Sequence, residues 1–150
     1  MRIFQGMDEV RAAIGTSLGT SDWHLVTQEQ VNLFADATGD HQWIHVDPQR
    51  AAAGPFGGPI AHGFLTLSLI PMLLWQVFTV EGVRMTINYG LNKVRFPSAT
   101  PVGSRVRAGV ELLSVTDTAH GAQVVMAVTV EREGSDKPVC VAETVTLIVP

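Results

Sequence analysis

Asp40, His41, His45 and Asp47 fall within the twelve-residue stretch ATGDHQWIHVDP, residues 37–48. Three chemistries could use them. A carboxylate beside an imidazole makes an acid/base pair, one group taking a proton from water while the other returns one to carbon, and positioned proton transfer contributes ~10² to 10⁴ in rate. Asp40 and His45, five positions apart, would be that pair. His41, His45 and Asp47 could instead bind a metal, with His62 as a distant fourth ligand, provided a helix put the two histidines on one face. In the third reading Asp40 caps a turn and His45 is a hydrogen-bonded core histidine, since spacing alone does not fix geometry.

The elements that must position these residues narrow the choice. Thr27 followed by Gln30 starts a helix, Val31, Phe34 and Ala35 give it an apolar stripe, and Gly39 stops it, so a helix spans about residues 28–38. Asp47 with Pro48 behind it is a second helix start, for the short DPQRAAAG segment. The chemistry-bearing stretch is therefore an ordered connection between two helices. That placement weakens the metal reading, because the imidazoles then share no helix face; we expect no metal.

Gly54, Pro55, Gly57, Gly58 and Pro59 form a loop, followed by the nearly continuous apolar segment IAHGFLTLSLIPMLLWQVF, residues 60–78. Its length would just span a bilayer, but His62, Gly63, Pro71 and Gln76 interrupt it and no Lys or Arg cluster flanks it. A helix buried on all sides of a core, kinked or interrupted near its middle by Pro71, is the expectation, with Trp75 packed inside. After Gly82 the period changes to two. Four Val-rich runs, at 83–96, 104–115, 122–133 and 139–149, follow one another through short connections that permit antiparallel pairing. LGTSDWHLVT supplies a fifth strand and residues 7–14 a short opening helix. The class is α+β, one domain over residues 1–150.

Composition agrees. A chain of 150 residues, 46% hydrophobic and 16% charged, supports one core and not two ordinary domains. A net charge of -4 argues against binding nucleic acid or anionic membranes. The lone Cys140 excludes an internal disulfide, and the first residues lack the apolar run of a signal peptide, so a cytoplasmic protein is expected.

FADATGDHQWIHVDPQRAA followed by GPIAHGFLTLSL resembles the MaoC-like (R)-specific enoyl-CoA hydratases, in particular their NodN-like branch. The shared pattern is a Gly-Asp pair, a short stretch, then His with a hydrophobic-Asp-Pro continuation, and an Ala-His-Gly helix start further on. The resemblance implies a hot-dog fold, an antiparallel sheet wrapped around a long apolar central helix, and a homodimer. It also implies reversible hydration of a trans-2-enoyl-CoA to an (R)-3-hydroxyacyl-CoA. Asp40 and His45 would then be the catalytic dyad, with Asp40 activating water and His45 orienting it and relaying a proton. No cofactor is implied, coenzyme A being part of the substrate. The nearest alternatives are a hot-dog thioesterase and a non-catalytic acyl-CoA-binding or partner subunit.

Attack at the β-carbon drives charge onto the thioester oxygen, which a backbone N–H at a helix start can stabilise. Gly63 is placed for this. His62 we read as structural, near the helix start and beside the substrate. The resemblance departs at Gln42 and Trp43, where relatives carry Asn-Pro; Gln42 keeps an amide that could steady the dyad or contact the thioester, and Trp43 adds bulk to the pocket. Independently, Arg84, Lys93, Arg95, Arg105 and Arg107 fall in a segment with no acidic residue between Glu81 and Glu111. Such a strip would suit the phosphates of coenzyme A, or be an incidental sheet rim. Gly90 marks a bulge, and Asn92, on the same face as Asn88, is a candidate donor to ligand.

Overall fold

A computed structural model describes residues 1–150. The elements in chain order are β1 (Arg2–Phe4), α1 (Met7–Ala12), β2 (Ser17–Thr20), β3 (His24–Leu25), α2 (Gln28–Thr38), α3 (Trp43–Val46) and α4 (Pro48–Ala52). They continue as α5 (Gly63–Ser68), α6 (Ile70–Trp75), β4 (Phe78–Val80), β5 (Met85–Arg95), β6 (Arg105–Thr118), β7 (Gly121–Arg132) and β8 (Cys140–Val149). The chain is α+β and its main sheet is antiparallel, in the order β2-β6-β7-β8-β5, with β3 also paired to β6.

Strict alternation builds the core. On β7, Ala122, Val124, Met126, Val128 and Val130 are buried, matched on β6 by Val106, Ala108, Val110 and Leu112. Leu65, Leu69, Ile70 and Leu73 press onto that face from α5 and α6. Cys140, at the start of β8, is fully buried, and burial pushes its thiol up to about 11. No helix is long and apolar enough to cross a membrane.

Three expectations change. The first Val-rich run, β5, pairs with the last strand, β8, not with its successor β6. Residues 96–104 therefore carry the chain across the sheet, and β5 is left as an 11-residue edge, exposed along nearly its whole length. The long central helix is two six-residue helices. Pro71 has no N–H to continue a helix, whereas near a first turn that donor is not needed, so α6 starts afresh around it. Nor is the apolar segment enclosed: Trp75, expected in the core, is 69% exposed, and Phe64 is exposed too, as are Met85, Ile87, Tyr89 and Leu91 on β5. A two-stranded parallel pair, β1 with β4, was not anticipated.

Candidate active site

Local signals place the chemistry. Thr27 Oγ1 accepts the Gln30 N–H at the start of α2, and Gly39 ends it at φ 83°, a left-handed conformation that turns the chain sharply before Asp40. Asp47 accepts the Arg50 N–H and starts α4. Between them the connection makes one unforeseen turn, α3, whose carbonyl at His45 accepts a hydrogen bond of 2.8 Å from Gln28 Nε2.

His45 is 6% exposed, and its Nδ1–H donates to the Ile60 carbonyl at 2.7 Å. With that proton fixed on Nδ1, neutral His45 presents Nε2 as a free acceptor. Burial holds its imidazole below the ordinary range, and nearby His62 pushes the same way; the Ile60 carbonyl and Asp40 oppose. Asp40 is exposed, and its Oδ1 accepts the Gln42 main-chain N–H at 3.3 Å. His62 is buried too, donating Nε2–H to the Asp40 carbonyl oxygen at 2.9 Å. The two imidazoles stack with centroids 3.9 Å apart and planes 25° from parallel.

Asp40, His45 and His62 thus bring one donor atom each within 4.8 Å of one another. Their geometry suits proton transfer better than a metal. Lone pairs lie in the ring planes, so two stacked imidazoles direct them along near-parallel planes instead of converging on one ion. The other ligand set is not assembled at all. His41 is exposed and pairs with Asp36 at 2.8 Å, which raises its pKa, while Asp47 is occupied as a cap.

Gly63 opens α5, and neither its N–H nor that of Phe64 has a backbone acceptor. A Cβ on Gly63 would lie 2.9 Å from a ring carbon of Phe96, which forms an edge-on pair with Phe64 at 6.1 Å. Any side chain there would have to push aside the Phe96 ring or the start of α5. Phe96 itself gave no signal in the sequence; only the β5 path brings it to α5. The carbonyl of Ile60 and the amide of Gln28 were equally invisible, since each acts on His45 from 15 or more residues away.

The remaining candidates sit as follows. Gln42 reaches Asp40 by its main chain. Trp43 packs against Gly54, with the Arg50 guanidinium 4.5 Å over its ring. Register shifts between Asn88 and Gly90, and between Leu91 and Lys93, bear out the bulge but separate Asn88 from Asn92, whose amide donates to Glu143 at 2.8 Å. Lys93 and Arg95 are exposed on β5, and neither forms an ion pair; Arg95 donates to the Val94 carbonyl. Arg105 and Arg107 are each paired with a carboxylate, Glu133 and Glu131, which offsets their pull on an anion. A cavity of about 630 Å³ runs between α5–α6 and β5, lined by Leu67, Ile70, Pro71, Trp75, Met85 and Leu91 among others, but not by Asp40, His45 or His62.

The MaoC-like domain family model matches residues 9–135. The chain belongs to the MaoC-like family. It is similar to 3-hydroxyacyl-thioester dehydratase Z of Mycobacterium tuberculosis, 62% identical over 146 residues and 97% of each chain. Nodulation protein N of Rhizobium leguminosarum is 46% identical over 144 residues, 93% of this chain and 89% of that one. Among solved structures, an (R)-hydratase from A. caviae superposes with a TM-score of 0.72 at 26% identity, covering 88% of this chain and 96% of the other. The fold is accordingly that of the hot-dog MaoC-like proteins, and the family makes the chain a hydro-lyase.

Proposed function

We propose that the protein reversibly hydrates a trans-2-enoyl-CoA to the (R)-3-hydroxyacyl-CoA. The observation that carries this is the buried His45, tethered through Nδ1 with Nε2 left open, close to the Asp40 carboxylate and to His62. Asp40 draws a proton from water as its oxygen bonds to the β-carbon, and His45 orients that water through Nε2. The π electrons move onto the thioester oxygen, where the unpaired N–H of Gly63 stabilises the developing charge. A proton relayed through the dyad then reaches the α-carbon, so both parts of one water are accounted for. The family and the dehydratase and (R)-hydratase names of similar proteins support this direction of chemistry.

Two further parts belong to the same proposal. Lys93 and Arg95, neither of them held in an ion pair, attract the phosphates of coenzyme A, and the apolar cavity beside Leu67, one turn along α5 from Gly63, takes the acyl tail. A second copy of the chain covers the β5 edge. Eleven residues whose outer backbone edge is open, with exposed Met85, Ile87, Tyr89 and Leu91, can pair antiparallel with themselves about a two-fold axis.

Incubation with crotonyl-CoA tests the chemistry. Hydration removes the conjugated enoyl absorbance without releasing thiol, and chiral analysis of the product returns the (R) alcohol; free thiol would mean hydrolysis instead. Sedimentation tests the pairing: Ile87→Lys should shift a dimer towards monomer.

A further inference from the structure

His62 contacts both members of the proposed dyad and adjoins the third group, Gly63. Its Nε2–H holds the main chain of Asp40, its ring backs His45, and it immediately precedes Gly63. Phe34 of α2 packs against it at 4.9 Å. A residue needed there only to fill space would be apolar, because an imidazole in this position leaves Nδ1 buried with no hydrogen-bond partner. The imidazole is retained where leucine or phenylalanine would avoid that cost.

We propose that His62 is a positioning residue for the hydration reaction, fixing the Asp40 carboxylate and the His45 ring relative to each other beside the Gly63 N–H. The proposal rests on the dyad reading. Donation to the Asp40 carbonyl places the proton of neutral His62 on Nε2, the mirror of His45, whose proton sits on Nδ1. The tautomers are thus set by two carbonyls, and the ring faces meet without competing for a hydrogen bond. Two stacked imidazoles also resist carrying charge together, so His62 makes His45 harder to protonate. Around His45, Asp40 is the carboxylate facing it and His62 the other titratable ring, while Phe34 and Gln28 from α2 bring no charge.

His62→Leu removes donor and ring; His62→Gln restores an N–H near the Nε2 position without the ring. In full-length protein acting on crotonyl-CoA, His62→Leu should lower kcat by about tenfold or more with KM little changed, as misplacement of catalytic groups does. His62→Gln should recover most of kcat. In both variants the titration of His45, followed by NMR of its labelled imidazole, should move upward, and the acid limb of kcat/KM with it. A fully active His62→Leu overturns the proposal, as does a His45 titration unmoved in His62→Gln. If the leucine variant does not fold, the glutamine variant and its titration decide. The titration needs no turnover, so it is separate from the dyad reading, which fails instead if Asp40→Asn retains normal activity.

Discussion

The 40–62 segment and the rim of the β6–β7 pair both concentrate charged or titratable side chains, and they use them in opposite ways. On the rim, Arg105 and Arg107 are paired with Glu133 and Glu131, side chain against side chain, so that each positive charge is already balanced. In the connection, His45 and His62 are held by main-chain carbonyls, which occupy one nitrogen and leave the other. A backbone tether orients a group without neutralising it. His41 repeats the lesson inside the connection itself: four residues before His45, it pairs with the Asp36 carboxylate at the surface and drops out of the chemistry.

Removing the tethered groups should have the largest effect. Asp40→Asn and His45→Gln are each expected to lower hydration of crotonyl-CoA by ~10² to 10⁴, with circular dichroism unchanged. Gly63→Ala comes next, since its Cβ meets the Phe96 ring and relief of that clash shifts either the ring or the α5 start that carries the N–H. A loss of about tenfold to a hundredfold in kcat is expected for a displacement of this size, and Phe96→Leu in the same chain should recover part of it. If the two substitutions are simply additive, Phe96 is not what makes glycine necessary.

The rim provides the contrast. Lys93→Ala with Arg95→Ala should raise KM severalfold at unchanged kcat, an effect that fades with salt, whereas Arg105→Ala and Arg107→Ala should leave KM alone. Equal effects from both pairs would mean that the carboxylates do not occupy Arg105 and Arg107 as described.

Acidity separates the two histidines of the connection. His45 has a folded pKa below its unfolded value, so folding favours its neutral form; its contribution is complete above the ordinary imidazole range and is lost as pH falls below it. Thermal melting from pH 8 to pH 5 should therefore show a falling Tm that is shallower in His45→Gln. His41 is raised, so its pairing with Asp36 has the opposite sign, present at low pH and lost as pH rises through the folded value. Being fully exposed, that pair should be the smallest effect of all, and His41→Gln should leave turnover and melting unchanged.

The sequence made helix ends and strand periods legible because these are local: Thr27, Gly39, Asp47 and Pro48 each act within a few residues. It also placed Asp40, His45 and Gly63 in positions that the fold brings near one another. What it could not show came from distance along the chain. The Ile60 carbonyl, Phe96 and the pairing of β5 with β8 depend on how separate elements meet, and no spacing encodes that. The apolar run at 60–78 misled in the same way, since hydrophobicity marks a surface that will be covered but not whether its own chain or a second copy covers Trp75.

Cys140 has a practical consequence. The chain's one thiol is sealed beneath the sheet and held well above neutral pH, so alkylating reagents should pass it by in the folded protein. A cysteine introduced at Tyr89 or Leu91 would then be the single reactive thiol, and the rate at which it takes a fluorophore would report whether a second copy covers the β5 edge.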